Sequence, residues 1–442
     1  MLAALALAGL FFLDIGDRTE MRLRATTGPA FAVDLTTMPY VRFATKVPHL
    51  EIKAGYAAML TQPDLEMGLP AGPQLFQLAD VSTWYSTRHW VVGVSEGGGY
   101  GDMNFSYLSP VPITPGQPVL GPPPTTLIPC TIATQCADET IHFGSSATFA
   151  MLRWSRRRFT AMIAPSYSVG GGTDAASKAL VPIVSSPRVD LAVEYRTSRR
   201  DVVITEGDAT TADSTPRACD PATGGPPPVP TNLDREQGLP GAVPLCAPRA
   251  QWGGLRETWR HSVSRRLSME LSAGAAVARA TTNADDTALN PLQPFKVVAY
   301  PTLRALFTYA LLNNERDRLA LHPMLTDPPK PSMYAVAKLG PVIDTRYGII
   351  DPRFEIGLGA LEPIGSKYTL SAHAAFVRSV PPTALDATYI AGWVELLRRI
   401  DKYRFEGGGG VRGAYQNDPF TGEFFIISIY ATLVWHEPRM AL

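Results

Sequence analysis

Period-two alternation constrains this chain more than any other feature. Over repeated segments of nine to twelve residues, apolar side chains occupy every second position and polar or small ones the positions between. Leu267, Met269, Leu271, Ala273, Ala275 and Val277 fall on one face, with Ser268, Glu270, Ser272 and Gly274 on the other. The same pattern appears at Val189, Leu191, Val193 and Tyr195, at Phe354, Ile356, Leu358 and Ala360, at Leu50, Ile52, Ala54 and Tyr56, and at Tyr368, Leu370, Ala372, Ala374 and Phe376. Successive side chains of a strand point to opposite faces, so each segment reads as a β-strand with one apolar face.

The segments are joined in two different ways. Short polar turns, Ser86-Thr87-Arg88-His89, Ser155-Arg156-Arg157-Arg158, Ser198-Arg199-Arg200 and Ser264-Arg265-Arg266, alternate with long connections at 106–139 and 209–253. Each of those two connections carries a Pro-Pro-Pro run and a pair of cysteines. About eighteen segments can be counted, with a range of sixteen to twenty because 312–350 is ambiguous. The spacing predicts an antiparallel array of hairpins whose two ends face different environments.

Composition decides which way the apolar faces point. The 442 residues are 45% hydrophobic and only 18% charged, yet no apolar run approaches the roughly 18 residues of a spanning helix. A formal net charge of zero argues against a nucleic-acid partner. A closed barrel of sixteen or more strands encloses an interior too wide to fill with apolar side chains, so the polar faces line a wet lumen and the apolar faces meet lipid. Closure also satisfies every backbone hydrogen bond in the bilayer. The fold class expected is all-β: a single closed antiparallel transmembrane β-barrel.

Residues 1–19 stand apart as a signal-like or N-terminal segment. Residues 1–13 are almost wholly apolar and Ala6-Leu7-Ala8 has the small-x-small form of a cleavage site, although a mature first strand fits the same residues. The barrel is expected over 20–436, with 437–442 as a C-terminal tail. The four cysteines form two local pairs, Cys130 with Cys136 and Cys219 with Cys246, in Pro- and Gly-rich sequence without a nearby histidine. Two local disulfides suit an oxidising compartment, free thiols being the alternative, and the spacing does not suit a metal site.

On its short Ser-Arg-Arg turns, its long Pro-rich loops and its last strand (Phe425, Ile427, Ile429, Ala431, Leu433, Trp435), the chain resembles the transmembrane β-barrel proteins of Gram-negative outer membranes. The resemblance implies outer-membrane localisation, lipid around the wall, short turns toward the periplasm and long loops outward. It also implies aromatic girdles, for which Trp84, Tyr85, Trp90, Trp154, Phe159, Trp259, Tyr403 and Trp435 are placed near the short turns.

No catalytic motif emerges. The seven histidines are scattered, there is no Gly-x-Ser-x-Gly elbow, and no nucleotide loop or cofactor site follows the glycine runs, which are better read as bends, bulges or room for neighbours. No enzyme, cofactor or metal is expected. The functional candidates are charges on the inward faces: Arg22, Arg24, Arg42, Lys53, Arg188, Asp190, Glu194, Arg260, Glu270, Arg353, Glu355, Arg404, Glu406 and Arg412. They set ion selectivity or pair across strands, and their arginine excess suggests mild anion preference. The expected function is porin-like passive passage of small polar solutes or ions. The alternative is a plugged structural or docking barrel whose loops bind an envelope protein, and a homo-oligomer is compatible with either.

Overall fold

The computed structural model describes residues 11–26, 31–45, 47–62, 73–104, 140–174, 180–215, 249–281, 298–310, 332–344, 349–380, 388–400, 404–418, 422–437 and 440–441. In chain order the strands are β1 (Phe11–Thr26), β2 (Phe31–Thr45), β3 (Leu50–Gln62), β4 (Gln74–Ser86), β5 (Trp90–Asn104) and β6 (Thr140–Arg156). Then come β7 (Phe159–Asp174), β8 (Leu180–Arg196), β9 (Asp201–Thr215), β10 (Arg249–Ser262), β11 (Leu267–Thr281) and β12 (Val298–Ala310). The last set is β13 (Ser332–Asp344), β14 (Ile349–Ile364), β15 (Tyr368–Ser379), β16 (Thr388–Arg399), β17 (Phe405–Asp418) and β18 (Gly422–His436), with a two-residue β19 (Met440–Ala441).

Each of the eighteen long strands pairs antiparallel with its neighbours in sequence, and β18 returns to β1 in register from Gly16↔His436 to Thr26↔Ile426. The sheet is therefore a closed 18-strand barrel with no lateral edge. All eighteen segments read from the sequence fall on strands. The stretch 338–350 holds the end of β13 and the start of β14. Residues 316–325 lie outside the described residues, as do all four cysteines, Cys130, Cys136, Cys219 and Cys246. The disulfides expected between Cys130 and Cys136 and between Cys219 and Cys246 therefore fall outside the described part of the barrel.

The strands are longer than the sequence suggests, mostly 12 to 17 residues. The extra length continues beyond the roughly nine to eleven residues that cross the hydrocarbon, where water on both faces removes the need for alternation. Thus β9 and β10 run well into the 209–253 connection, with Asp213 paired to Arg249. The ends of the barrel differ likewise. Among the described residues strand structure is present from Phe11 onward, upstream of the boundary at residue 20, and Met440–Ala441 of the C-terminal segment pairs with Phe12 and Leu13.

The short turns owe their sequences to local capping. Ser198 Oγ accepts the backbone N–H groups of Arg200 and Asp201, and Ser264 Oγ accepts those of Arg266 and Leu267. Thr87 Oγ1 does the same for His89 and Trp90. A hydroxyl at the first turn position thereby satisfies donors that the ladder cannot reach. One connection breaks the pattern: residues 311–331 join β12 to β13 on the short-turn end.

The distribution of burial is inverted relative to a soluble protein. Arg22, Asp34, Arg188, Asp190 and Glu395 are buried, while Leu191, Leu303, Leu358, Ile427 and Ile429 are exposed. Along β11, Ser268 and Ser272 are buried where Leu271 and Val277 are exposed. The polar faces thus line the inside of the cylinder and the apolar faces its outside.

Candidate functional site: the ion-paired lumen wall

Eighteen strands about 4.8 Å apart and tilted about 40° give a backbone radius of roughly 18 Å, which leaves about 12 Å of free radius after one layer of side chains. What this layer contains defines the site. It is organised as two ionic arcs on opposite sides of the cylinder, separated by less polar sectors.

The first arc spans β16, β17, β18, β1 and β2. Glu20 sits at its centre, with Arg412 at 3.2 Å, Arg18 at 3.4 Å and Arg22 at 4.0 Å. Arg18 also donates to Glu395 on β16, reaching past β18 and β17, where Gly408 and Gly410 leave room. Arg22, only 2% exposed, lies 3.6 Å from Asp34, which is fully buried. Lower on the wall Arg42 pairs with Asp14 at 3.2 Å and stacks its guanidinium over Tyr40. Arg412 stacks likewise over Tyr430.

The second arc spans β8 to β12. Arg188 pairs with Asp190 at 2.9 Å and Asp208 at 3.7 Å. Arg256 bonds Glu206, and Glu270 is shared by Arg260 and Arg304, each at 2.6 Å. Glu194 lies 4.0 Å from Arg260. Between the arcs Lys338 meets Glu355 at 2.7 Å and Lys53 meets Glu51 at 2.8 Å.

Most of the charges anticipated from sequence are thus in the wall and bonded within it. Arg353 also engages a neighbour, from a position directly opposite Gly340 and Ser379. Glu406 meets Arg399 at 3.5 Å near the short-turn end. Two candidates differ. Arg404 stands in the turn before β17, is 53% exposed and pairs with Glu437. Arg24 pairs in register with Ser428 and Ala32, but its side chain lies outside what is described.

Sequence reasoning misses Arg18, Glu20, Asp34, Glu206, Asp208, Arg256, Arg304 and Glu395. Every pair that holds the first arc around Glu20 depends on one of these, and most of the eight are acids. The arginine excess read from sequence is therefore a property of that selection and not of the wall.

In the sector of β4–β7 part of the inward layer is apolar, beside the buried Asp80 and Ser82 of β4. Trp84 (2% exposed), Met151 and Ala164 pack together, with Val91, Phe149 and Met162 against them. Trp84 is thereby removed from the expected lipid-facing girdle, because its neighbour Tyr85 takes the outward position. Tyr85, Trp90, Phe159 and Trp259 are exposed as expected, and Trp154 joins them through ring contacts with Trp90 and Phe159. Trp435 sits directly opposite Phe405, and Tyr403 lies outside the described residues.

Glycine makes the inward aromatics possible. The Trp84 ring lies over Gly93 of the paired strand, where an added Cβ would come within 2.0 Å of it, and Tyr334 covers Gly359 in the same manner. The Gly170-Gly171-Gly172 run carries a register shift, as a bulge requires. Gly93→Val is expected to cost about 1–3 kcal/mol by displacing Trp84. Gly340→Ala, whose new Cβ would meet only Thr302 Cγ2 at 3.5 Å, is expected to leave the unfolding midpoint unchanged. Urea-unfolding midpoints in lipid vesicles distinguish the two.

Among the described residues no group of three or more His, Cys, Asp or Glu side chains is placed to hold a metal, and no helix is long and apolar enough to cross a membrane. No protein-family model matches the chain, and no curated protein matches it. Solved structures similar to it include the ferripyoverdine receptor of the outer membrane of Pseudomonas aeruginosa bound to ferripyoverdine, at 10% identity and TM-score 0.43, covering 92% of this chain and 57% of that one. The FrpB iron transporter of Neisseria meningitidis matches at 8% identity and TM-score 0.45, covering 92% of this chain and 62% of the other. Pseudomonas aeruginosa OpdL matches at 9% identity and TM-score 0.38, covering 96% of this chain and 99% of the other. The chain spans less than two thirds of the length of the receptor and iron-transporter chains.

The barrel's own geometry makes the assignment. An even number of antiparallel strands closed on themselves, an exposed apolar wall with aromatics near its rim and a charged lining together define an outer-membrane β-barrel.

Proposed function

We propose that this barrel is a porin-like passive channel for small polar solutes and ions, with weak charge selectivity. The observation that carries this reading is the reach of the ion pairs. Each of those described joins strands no more than three apart around the wall, and none extends from one ionic arc to the other. Such bonding lines a pore of this width and does not fill it. The pairs hold the wall rigid, and their exposed edges offer hydration to a passing solute in place of bulk water.

Charge preference follows from the balance within the arcs. Arg18, Arg22 and Arg412 face Glu20, Asp34 and Glu395, whereas Arg188, Arg256, Arg260 and Arg304 face Asp190, Asp208, Glu206, Glu194 and Glu270. A wall so compensated focuses little net field along the axis. The refolded protein in a planar bilayer is expected to give stable conductance steps with a reversal potential near zero under a salt gradient. Strong selectivity of either sign would overturn the charge-balance argument. A correctly folded barrel without conductance would overturn the passive channel and favour the docking barrel.

A further inference from the structure

The outer wall is not uniformly apolar. On β5 the outward positions run Trp90, Val92, Val94, Glu96, Gly98 and Tyr100, so a carboxylate interrupts the lipid-facing row. Taking Trp90 as the lower rim, Glu96 lies about 15 Å up a band about 25 Å tall, close to mid-membrane. Both carboxylate oxygens are engaged, since Ser146 Oγ and Thr148 Oγ1 on β6 donate to them. One row higher, Tyr56 on β3 donates to Gln77 on β4 at 2.9 Å. Tyr167 on β7 shares the row of Thr148 and Glu96.

Small residues lie within this polar patch, with Ala79 and Gly98 outward beside Ser146, whereas the Tyr100 ring lies against Gly144. Elsewhere at comparable height the wall shows Leu358, Val394 and Ile429, and a second outward carboxylate, Glu257 on β10, which accepts from Thr205 at 2.7 Å but stands between the large side chains of Leu255 and Trp259 in its row on β10. Hydrocarbon offers Glu96 no partner beyond its own hydroxyls, whereas a protein surface would.

We propose that the outward face of β3–β7 is the contact between two copies of this chain, related by a two-fold axis along the membrane normal. The bilayer holds every copy at one depth and in one orientation, so a mid-depth patch meets its own equivalent automatically. The patch is self-complementary: the Glu96 carboxylate accepts, and the Tyr167 phenol and the Gln77 side-chain NH2 donate, the Tyr56 phenol being already committed to the Gln77 carbonyl. The small residues within it permit close approach of the two backbones, as they do between membrane helices. An isologous contact of this kind closes at two copies.

The test is the mass of the intact protein extracted in mild detergent, measured by light scattering on a sizing column, beside three variants. The wild type is expected to be a dimer. Gly98→Leu, which would separate the walls, and Glu96→Val, which removes the acceptor, are both expected to be monomers that retain heat-modifiable gel migration and so remain folded barrels. Ala337→Leu, outward on β13, is expected to remain a dimer. A monomeric wild type, a trimer, a different protein co-purifying at this face, or dimers that survive both β5 substitutions would each overturn the proposal.

Discussion

Replacing Arg22 with methionine is expected to destabilise the barrel by about 3–5 kcal/mol, the usual cost of removing one partner of a buried ion pair. Arg22 lies within the first ionic arc, packed between Asp34 and Glu20 and almost inaccessible to solvent. Its removal takes a cation from 3.6 Å beside the fully buried Asp34 carboxylate and sets an apolar side chain of similar length in its place. The loss arises mainly from that buried charge, now less compensated, and less from the strength of the bond. The double variant Arg22→Met/Asp34→Leu removes both charges and is expected to recover a large part of the stability, because a buried pair replaced by apolar residues is often near neutral. Equilibrium urea unfolding in lipid vesicles measures both. A single variant that unfolds like the wild type would show that water reaches Asp34 and that the arc is not a dry layer.

The same residues show how far the sequence could be read. Strand number, chain direction and the facing of nearly every side chain follow from alternation, which depends only on neighbours along the chain. Ladder register does not, and the ionic arcs depend on register. Arg18 and Glu395 meet although 377 positions separate them, through three consecutive interstrand pairings and the small residues of β17 between. Arg18, Asp14 and Asp17 are also obscured by the apolar stretch before them, since residues 1–13 followed by acids read as an export signal as readily as a strand. Arg404 has the parity of the lumen face but stands one residue before β17 begins, and alternation alone does not show where a strand gives way to its turn. Trp84 is within reach of the pattern, because adjacent Trp84 and Tyr85 cannot both face lipid. The apolar packing of Trp84 with Met151 and Ala164 depends on β4, β5, β6 and β7 standing in register.

Ile429→Arg is expected to cost about 2–4 kcal/mol, the penalty for a cation near the midplane of the lipid-facing wall of a barrel. Ile429 is 61% exposed, on β18 between Ile427 and Ala431, and in a soluble protein an arginine there would be harmless. Its cost thus measures the solvent outside the wall directly. Ser371→Arg makes the matched comparison. Ser371 faces inward on β15, directly opposite Glu395, so the new guanidinium enters a hydrated, acid-containing lining and is expected to change stability little. The contrast between the two sites separates a lipid-facing wall from an inward apolar core, since a soluble barrel would penalise the inward arginine and tolerate the outward one. Folding efficiency into vesicles, read by heat-modifiable gel migration, and the urea midpoint are the two readouts. A tolerated arginine at 429 beside a destructive one at 371 would reverse the inside-out assignment, and the ion-paired lining would then be the exterior of the molecule.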